Sequence, residues 1–430
     1  VKYILSIFIF LSTIALPAQQ VNEYIDLQIH PTMHVPYPFF SKGLEFFDEK
    51  NPPNLSYLHQ FNNVNYANYF VKNEGLRIMC VGTLNNEYVP NPQKAKRMIL
   101  TQIGYINKFA EENSENFVVA KSPQEVRDYL KTTDKTIIVH CIEGGKSLIR
   151  NQEDANFWAS QGVSFITLIH LVDCEYGSAA ILPGIPTRII NSDASCDKEK
   201  EIGLTQLGKN AIIWLANAGI MTDITHMNDR TRKDALVVME EHGIPPLSTH
   251  DGFKPLQHHP RALDEEDIIK IYKNNGFMAL PISGYSCMPY LPDSVYLKEI
   301  SMLDDYCEGS IDNYIFLYNT IKKFIESNPQ LGYNESMTEE EKVNFCIGFQ
   351  SDFNGWLNHS RPRYGEDGCY KIIPDSIKEP IETQGLAHPG LLDSQWKVME
   401  KEGVDLAPVK RSAEKFLQMW QYFIDHRGKF

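Results

Sequence analysis

The sequence predicts an α/β fold, a single (β/α)8 barrel of the TIM type, and three observations lead there. From residue 24 onward eight short β-rich runs alternate with amphipathic helical stretches, and eight is the count that closes such a barrel. Connections from helix to strand are short, as at Ala218-Gly219 and Gly243-Ile-Pro245, whereas those from strand to helix run long at 31–55, 171–203 and 284–309. Histidines and carboxylates recur at the ends of the runs, which in a barrel all open onto the face built from the long loops. A doubly wound open sheet is the runner-up for the same alternation; the loop asymmetry favours the barrel.

The chain opens with Lys2 ahead of an apolar run, Tyr3 to Leu16, closed by Pro17-Ala18-Gln19-Gln20. A positive start, a short apolar centre and a small residue before a polar stretch make residues 1–18 a signal peptide. The run is short for a membrane span, and an uncleaved anchor is the alternative. The mature protein is expected to be exported, periplasmic or extracellular, with residues 19–430 as one domain and no membrane span after cleavage.

The strand candidates are 24–30, 76–83, 136–143, 163–170, 220–226, 246–250, 277–283 and 345–352. Between them, Leu204, Leu207, Ala211, Ile212 and Leu215 share one helical face, with Gly219 as the C-terminal cap. Asp229 is placed to cap a helix that runs to His242 and stops at Gly243-Ile-Pro-Pro. Leu263-Asp264 opens another, ending at Asn275-Gly276, and Thr338 with Glu341 has capping-box spacing.

Composition narrows the function. With 43% hydrophobic residues the 430-residue chain can build a large core, which excludes a disordered or low-complexity protein. A net charge of −14 argues against nucleic acid or an anionic membrane surface as the main partner and leaves a small molecule or peptide. The eight cysteines include no C-x-x-C pair, so neither a zinc ribbon nor a thioredoxin-type centre is indicated. Cys80, Cys141 and Cys346 sit in apolar runs and read as buried thiols; Cys174 with Cys196, or Cys287 with Cys307, could bridge within loops.

The run ends carry the chemistry. The first ends in Gln28-Ile-His30, the third in Glu143, the next three in His170, His226 and His250, and the last reaches Asp352. One histidine at a strand end is usually a packed residue. Several at the same topological position are hard to obtain from packing, because imidazoles and carboxylates are seldom buried without partners. Imidazoles with one carboxylate suit zinc, and a single carboxylate among several imidazoles suits a two-metal site that it bridges. Gly145-Lys146-Ser147 imitates the end of a phosphate-binding loop, but His140 stands where that loop needs glycine. Neither an H-E-x-x-H helix nor a G-x-S-x-G elbow occurs.

Five short segments in order, with a sixth between the last two, resemble the membrane dipeptidase (renal dipeptidase) family, peptidase family M19, among the amidohydrolase-like barrels. They are Ile142-Glu143-Gly144-Gly145 with Ser147-Leu148, Ile166 to His170, Asp223-Ile-Thr-His226, Pro246-Leu-Ser-Thr-His250, and Ile347 to Gly355 around Asp352. The sixth, His259-Pro260-Arg261-Ala262-Leu263, resembles the family's arginine segment. The likeness covers about residue 24 to about residue 400 and implies a barrel of the metal-dependent hydrolase kind.

The resemblance implies a zinc-dependent dipeptidase holding two Zn2+ ions, in which hydroxide between the metals attacks the peptide carbonyl. Glu143 would bridge the metals, with His226 and His250 completing one site and His30 serving the other. His170 would contact substrate and steady the oxyanion, Arg261 would clamp the terminal carboxylate, and Asp352 would carry the proton to the leaving amine. Taken alone, Arg261 reads as a surface salt bridge and Asp352 as a helix cap. The family also implies small dipeptide substrates, often with a D residue second, and frequent homodimers.

One departure stands out. The family usually has His-x-Asp where this chain has Gln28-Ile-His30, and Lys146 stands where a histidine is usual. His30 can serve as a nitrogen ligand, but a neutral amide is a poor zinc ligand, so the first metal would be held weakly. That leaves two alternatives to the dipeptidase: a catalytically impaired barrel that binds a peptide or ligand, or an amidohydrolase acting on a non-peptide amide.

Overall fold

Nine parallel strands occur among the described residues of the computed structural model, which are 20–38, 55–58, 76–88, 91–180, 202–257, 259–284, 305–354 and 357–430. They are β1 (Ile25–Ile29), β2 (Ile78–Leu84), β3 (Phe117–Ala120), β4 (Thr136–Glu143), β5 (Val163–Thr167), β6 (Met221–Asp223), β7 (Leu247–Ser248), β8 (Phe277–Pro281) and β9 (Gly348–Gln350). Strand β1 pairs with both β2 and β9, and β2 pairs with β4 from Ile78↔Ile137 to Leu84↔Glu143. The remaining strands follow in order from β4 through β5 to β9, so eight of them close a barrel. The eight match the eight sequence runs.

Strand β3 was not among those runs. It lies outside the ring against the first half of β4, from Phe117↔Thr136 to Ala120↔Val139, while β5 takes the second half from His140 onward. Its four residues, Phe-Val-Val-Ala, are too short a run to stand out between two helices.

Every residue of β1, β2, β4 and β5 is buried, as expected for parallel strands covered on both faces. Outside the ring the core is closed by helices. Trp396, on the helix Leu392–Lys401, stacks on Tyr24 at 4.9 Å and meets Phe349 edge-on at 4.8 Å. Trp420, on Ala407–Asp425, is buried as well, and Trp214 packs against the core from a partly buried position. Trp356 lies outside the described residues, as do residues 1–18, where a signal peptide is expected, and much of the long loops.

The predicted helices form, with one cap reassigned. Gln206–Ala218 ends at Gly219, whose φ of 84° is left-handed and comfortable for glycine. Asp229–His242 ends likewise at Gly243, but its N-cap is Asn228, which accepts from the Thr231 backbone; Asp229 is the first helical residue. Asp264 and Asp267 form a capping box on Glu265–Lys273, and Thr338 and Glu341 form another. Among the described residues no helix is long and apolar enough to cross a membrane.

The cysteine pairing differs from expectation. Cys307 is bonded to Cys369, 62 residues away, and not to Cys287. Cys80, Cys141 and Cys346 are buried free thiols and Cys174 is also free; Cys196 and Cys287 lie outside the described residues. The bridge closes a long loop that no spacing rule could pick out. Cys369→Ser should lower unfolding free energy by about 4 kcal/mol, the chain-entropy value for such a loop. Urea titration of the oxidised parent and the variant checks this.

Candidate metal centre and active site

The site begins where the strands end. Glu143 is the last residue of β4, and His30 follows β1 directly. His170, His226, His250 and Asp352 lie two or three residues beyond β5, β6, β7 and β9, in the turns and not in the strands themselves. Two of these turns carry unusual backbone: His226 has φ 69° and Asp352 φ 51°, in the left-handed region that non-glycine residues seldom enter.

Asp223 explains how the turns after β6 and β7 are held. Its buried carboxylate accepts hydrogen bonds from the backbone N–H of Thr225 and Thr249, both at 3.1 Å. It also accepts from the hydroxyls of Thr167 (2.6 Å), Thr225 (2.7 Å) and Thr249 (2.7 Å). These bonds replace strand pairing, which is why β6 and β7 are so short. Burial raises the Asp223 pKa above the ordinary value although all these donors oppose that shift.

The Thr249 hydroxyl donates to Asp223 and lies 2.8 Å from His250 Nδ1, so Nδ1 must carry the proton and Nε2 keeps its lone pair. His30 is oriented by the same logic. Its Nδ1 donates to the Gly82 carbonyl at 2.9 Å, leaving Nε2 toward the centre. Gly82 allows this approach, since a Cβ there would come within 2.6 Å of His30 Cε1.

Glu143 is the centre of the constellation. Its Oε1 faces His226 Nε2 at 3.3 Å and His250 Nε2 at 3.5 Å. Its Oε2 faces His30 Nε2 at 3.1 Å and His170 Nε2 at 3.6 Å. Asp352 Oδ1 approaches His30 Nε2 at 3.5 Å and accepts from the Asn354 amide at 3.0 Å. Arg261 is buried within the site and not on the surface. Its guanidinium meets His226 at 2.6 Å and the His250 carbonyl at 3.4 Å, with Asp251 at 3.9 Å. Behind it, the buried Arg232 bonds Asp267 at 2.9 Å and reaches the Arg261 carbonyl at 3.5 Å, which anchors the segment.

Charges sort within this cage. Burial opposes ionisation of Glu143, but His170 and His30 hold its pKa well below the usual value. Burial and the Arg261 charge push His226 and His250 well below the usual imidazole range, so both are neutral, and the His226 Nε2 lone pair meets the Arg261 guanidinium. Burial also works against a proton on His30 and His170, yet Glu143 raises both. Asp352 is pushed up to about 6 by burial and then by the neighbouring Glu143.

This donor set fits a metal ion. Glu143, His226 and His250 each bring one ligand atom within 4.8 Å of the others, a nitrogen–nitrogen–oxygen set of the zinc class. The His30 side is poorer. Gln28 Nε2 lies 3.0 Å from His30 Nε2, while Gln28 Oε1 makes no hydrogen bond among the described residues.

More than half of the chain, residues 54–296, matches the model of the membrane dipeptidase family, peptidase family M19. The chain belongs to that family. An uncharacterized dipeptidase of Schizosaccharomyces pombe is 31% identical over 119 residues, 27% of this chain and 24% of that protein. An uncharacterized protein of Acinetobacter calcoaceticus is 21% identical over 188 residues, 44% of this chain and 55% of that one. The matches thus span between a quarter and about half of the length of these curated relatives. A metallo peptidase from Rhodobacter sphaeroides, liganded with a phosphinate mimic of the dipeptide L-Ala-D-Ala, superposes with a TM-score of 0.58. It is 14% identical, over 93% of this chain and 99% of that one, a likeness that shows the shared barrel.

Within the membrane dipeptidase segments the sequence reading named every residue around Glu143 but passed over their supports. Asp223 and Thr249 stood inside quoted motifs, yet only the fold shows them joined. Glu87, described below, stands in Asn85-Asn86-Glu87-Tyr88, which carries no pattern at all. Thr249→Val should lower the affinity for a divalent metal ion about 10–100-fold, the usual cost of removing an outer-layer partner. Titration against a competing fluorescent chelator measures it.

Proposed function

We propose that this chain is an exported, metal-dependent dipeptidase. The observation that carries the proposal is the division of Glu143: one carboxylate oxygen faces His226 and His250, the other His30 and His170. That is the disposition of a carboxylate able to serve two neighbouring ions. Zinc-class ions held there would supply Lewis acidity and a nucleophilic water at neutral pH. Glu143, His226 and His250 would hold the tighter ion, and His30 with Glu143 and the Gln28 amide the weaker.

The remaining residues bind and move protons. Arg261 offers a planar fork that matches the carboxylate end of a dipeptide. His170 turns Nε2 into the site, where a donor to the carbonyl oxygen stabilises charge that grows only as the bond breaks. Asp352 lies beside His30, with burial favouring its protonated form, as suits a group that passes a proton to the leaving amine. Export is supported by the leader-like composition of residues 1–18 and by the Cys307–Cys369 bridge, which an oxidising compartment favours.

Gln28 favours a second reading, a barrel that binds a peptide without cleaving it, because its amide contacts the nitrogen that a second ion would need. A dipeptide panel with and without added zinc separates the two. Hydrolysis abolished by a chelator supports the dipeptidase; binding without turnover supports the alternative. Glu143→Gln should reduce kcat by at least about a thousandfold, since it removes the charge serving both positions. Elemental analysis of protein purified without chelators should find one ion retained and a second lost on dialysis, and Gln28→His should retain both.

A further inference from the structure

Glu87 lies in the turn after β2, outside every segment that resembles the family's motifs, and its side chain is 2% exposed. Its Oε2 accepts a hydrogen bond from the Leu171 backbone at 3.0 Å and stands 3.4 Å from His170 Nδ1. The opposite nitrogen of the same ring, His170 Nε2, is the one that faces Glu143. Glu87 Oε1 makes no hydrogen bond among the described residues and packs on Gly144, where a Cβ would come within 3.2 Å of it. One carboxylate thus touches the residue after Glu143, the histidine and the backbone after the histidine.

A buried carboxylate is expensive unless a donor or a positive charge compensates it. Besides the Leu171 N–H, the group that the structure sets against Glu87 is the Nδ1 edge of His170. We propose that Glu87 is a positioning residue for His170: its Oε2, fixed by the Leu171 N–H, sets the ring from the Nδ1 edge and so aims the Nε2 edge at the reacting carbonyl. The inference rests on the dipeptidase reading for its kinetic consequence only; the orientation of the histidine ring is a property of the resting protein.

The experiment uses the full chain loaded with zinc. Glu87→Leu should lower kcat at least about tenfold, with KM changed less than about threefold and bound zinc unchanged. Glu87→Gln, which keeps an acceptor oxygen, should recover most of the loss. In a His170→Ala background, Glu87→Leu should cost less than about twofold, because the residue it acts through is gone. Equal losses in both backgrounds would show a general structural role and overturn the proposal. Crystal structures of the resting protein should show the His170 ring turned from its parent orientation, or in two orientations, in Glu87→Leu, or in Glu87→Ala should the leucine variant not fold. An unchanged ring orientation overturns the proposal even if no dipeptide is hydrolysed, whereas absent turnover with the ring reoriented removes only the dipeptidase reading.

Discussion

The site depends on one buried carboxylate. Glu143 sits at the end of β4 with almost no access to water, where an isolated charge would be costly by several kcal/mol even after relaxation. Four imidazoles surround it, two to each oxygen, and their arrangement follows from that burial. Each histidine comes from a different strand end, so the full cage assembles only where the ends of β1, β4, β5, β6 and β7 stand together on one face of the barrel.

The support for the cage is polar and lies one layer deeper. Asp223 draws the turns after β6 and β7 together by taking two backbone donors and three hydroxyls, and the Thr249 hydroxyl passes that order on to His250. The left-handed backbone of His226 and Asp352 is the counterpart of this order. Conformations of that kind cost roughly 1–3 kcal/mol each and persist where the surroundings leave no alternative. Here the strands on either side, Arg232 beneath the Arg261 segment and the Asp223 hub supply the constraint. Strain is thus stored where side chains must point inward from the barrel rim.

The barrel was legible because its signals are local. Alternating runs and helical periodicity are written within ten to fifteen residues, and Gly219 and Gly243 mark helix ends by a conformation that glycine tolerates best. The residues that gather around Glu143 were legible for a related reason: a barrel maps strand ends onto one face, so position along the chain stands in for position in space. What was missed is non-local or quiet. The bond of Cys307 to Cys369 spans 62 residues of chain, and Cys287 was simply nearer in sequence. Asn228 displaced Asp229 as a cap because adjacent residues of equal capping power differ only in backbone angle. Glu87 carries no motif; its meaning comes from a histidine more than eighty residues away.

Gln28 sets what the end of β1 can offer a metal ion. The amide sits beside His30, in a strand whose register against β2 shifts between Asp26 and Ile29, and His30 keeps its bond to the Gly82 carbonyl. What changes is the electron pair on offer. An imidazole in that place would add a nitrogen donor; the amide offers either an N–H that occupies the His30 lone pair or, turned over, a neutral oxygen that binds zinc weakly. The opposite half of the cage is untouched, because His226 and His250 are oriented by Asp223 and Arg261 and not by β1. The two halves share only Glu143, so one can weaken while the other keeps its ligands and its lone pairs. The asymmetry is built into which strand holds which support.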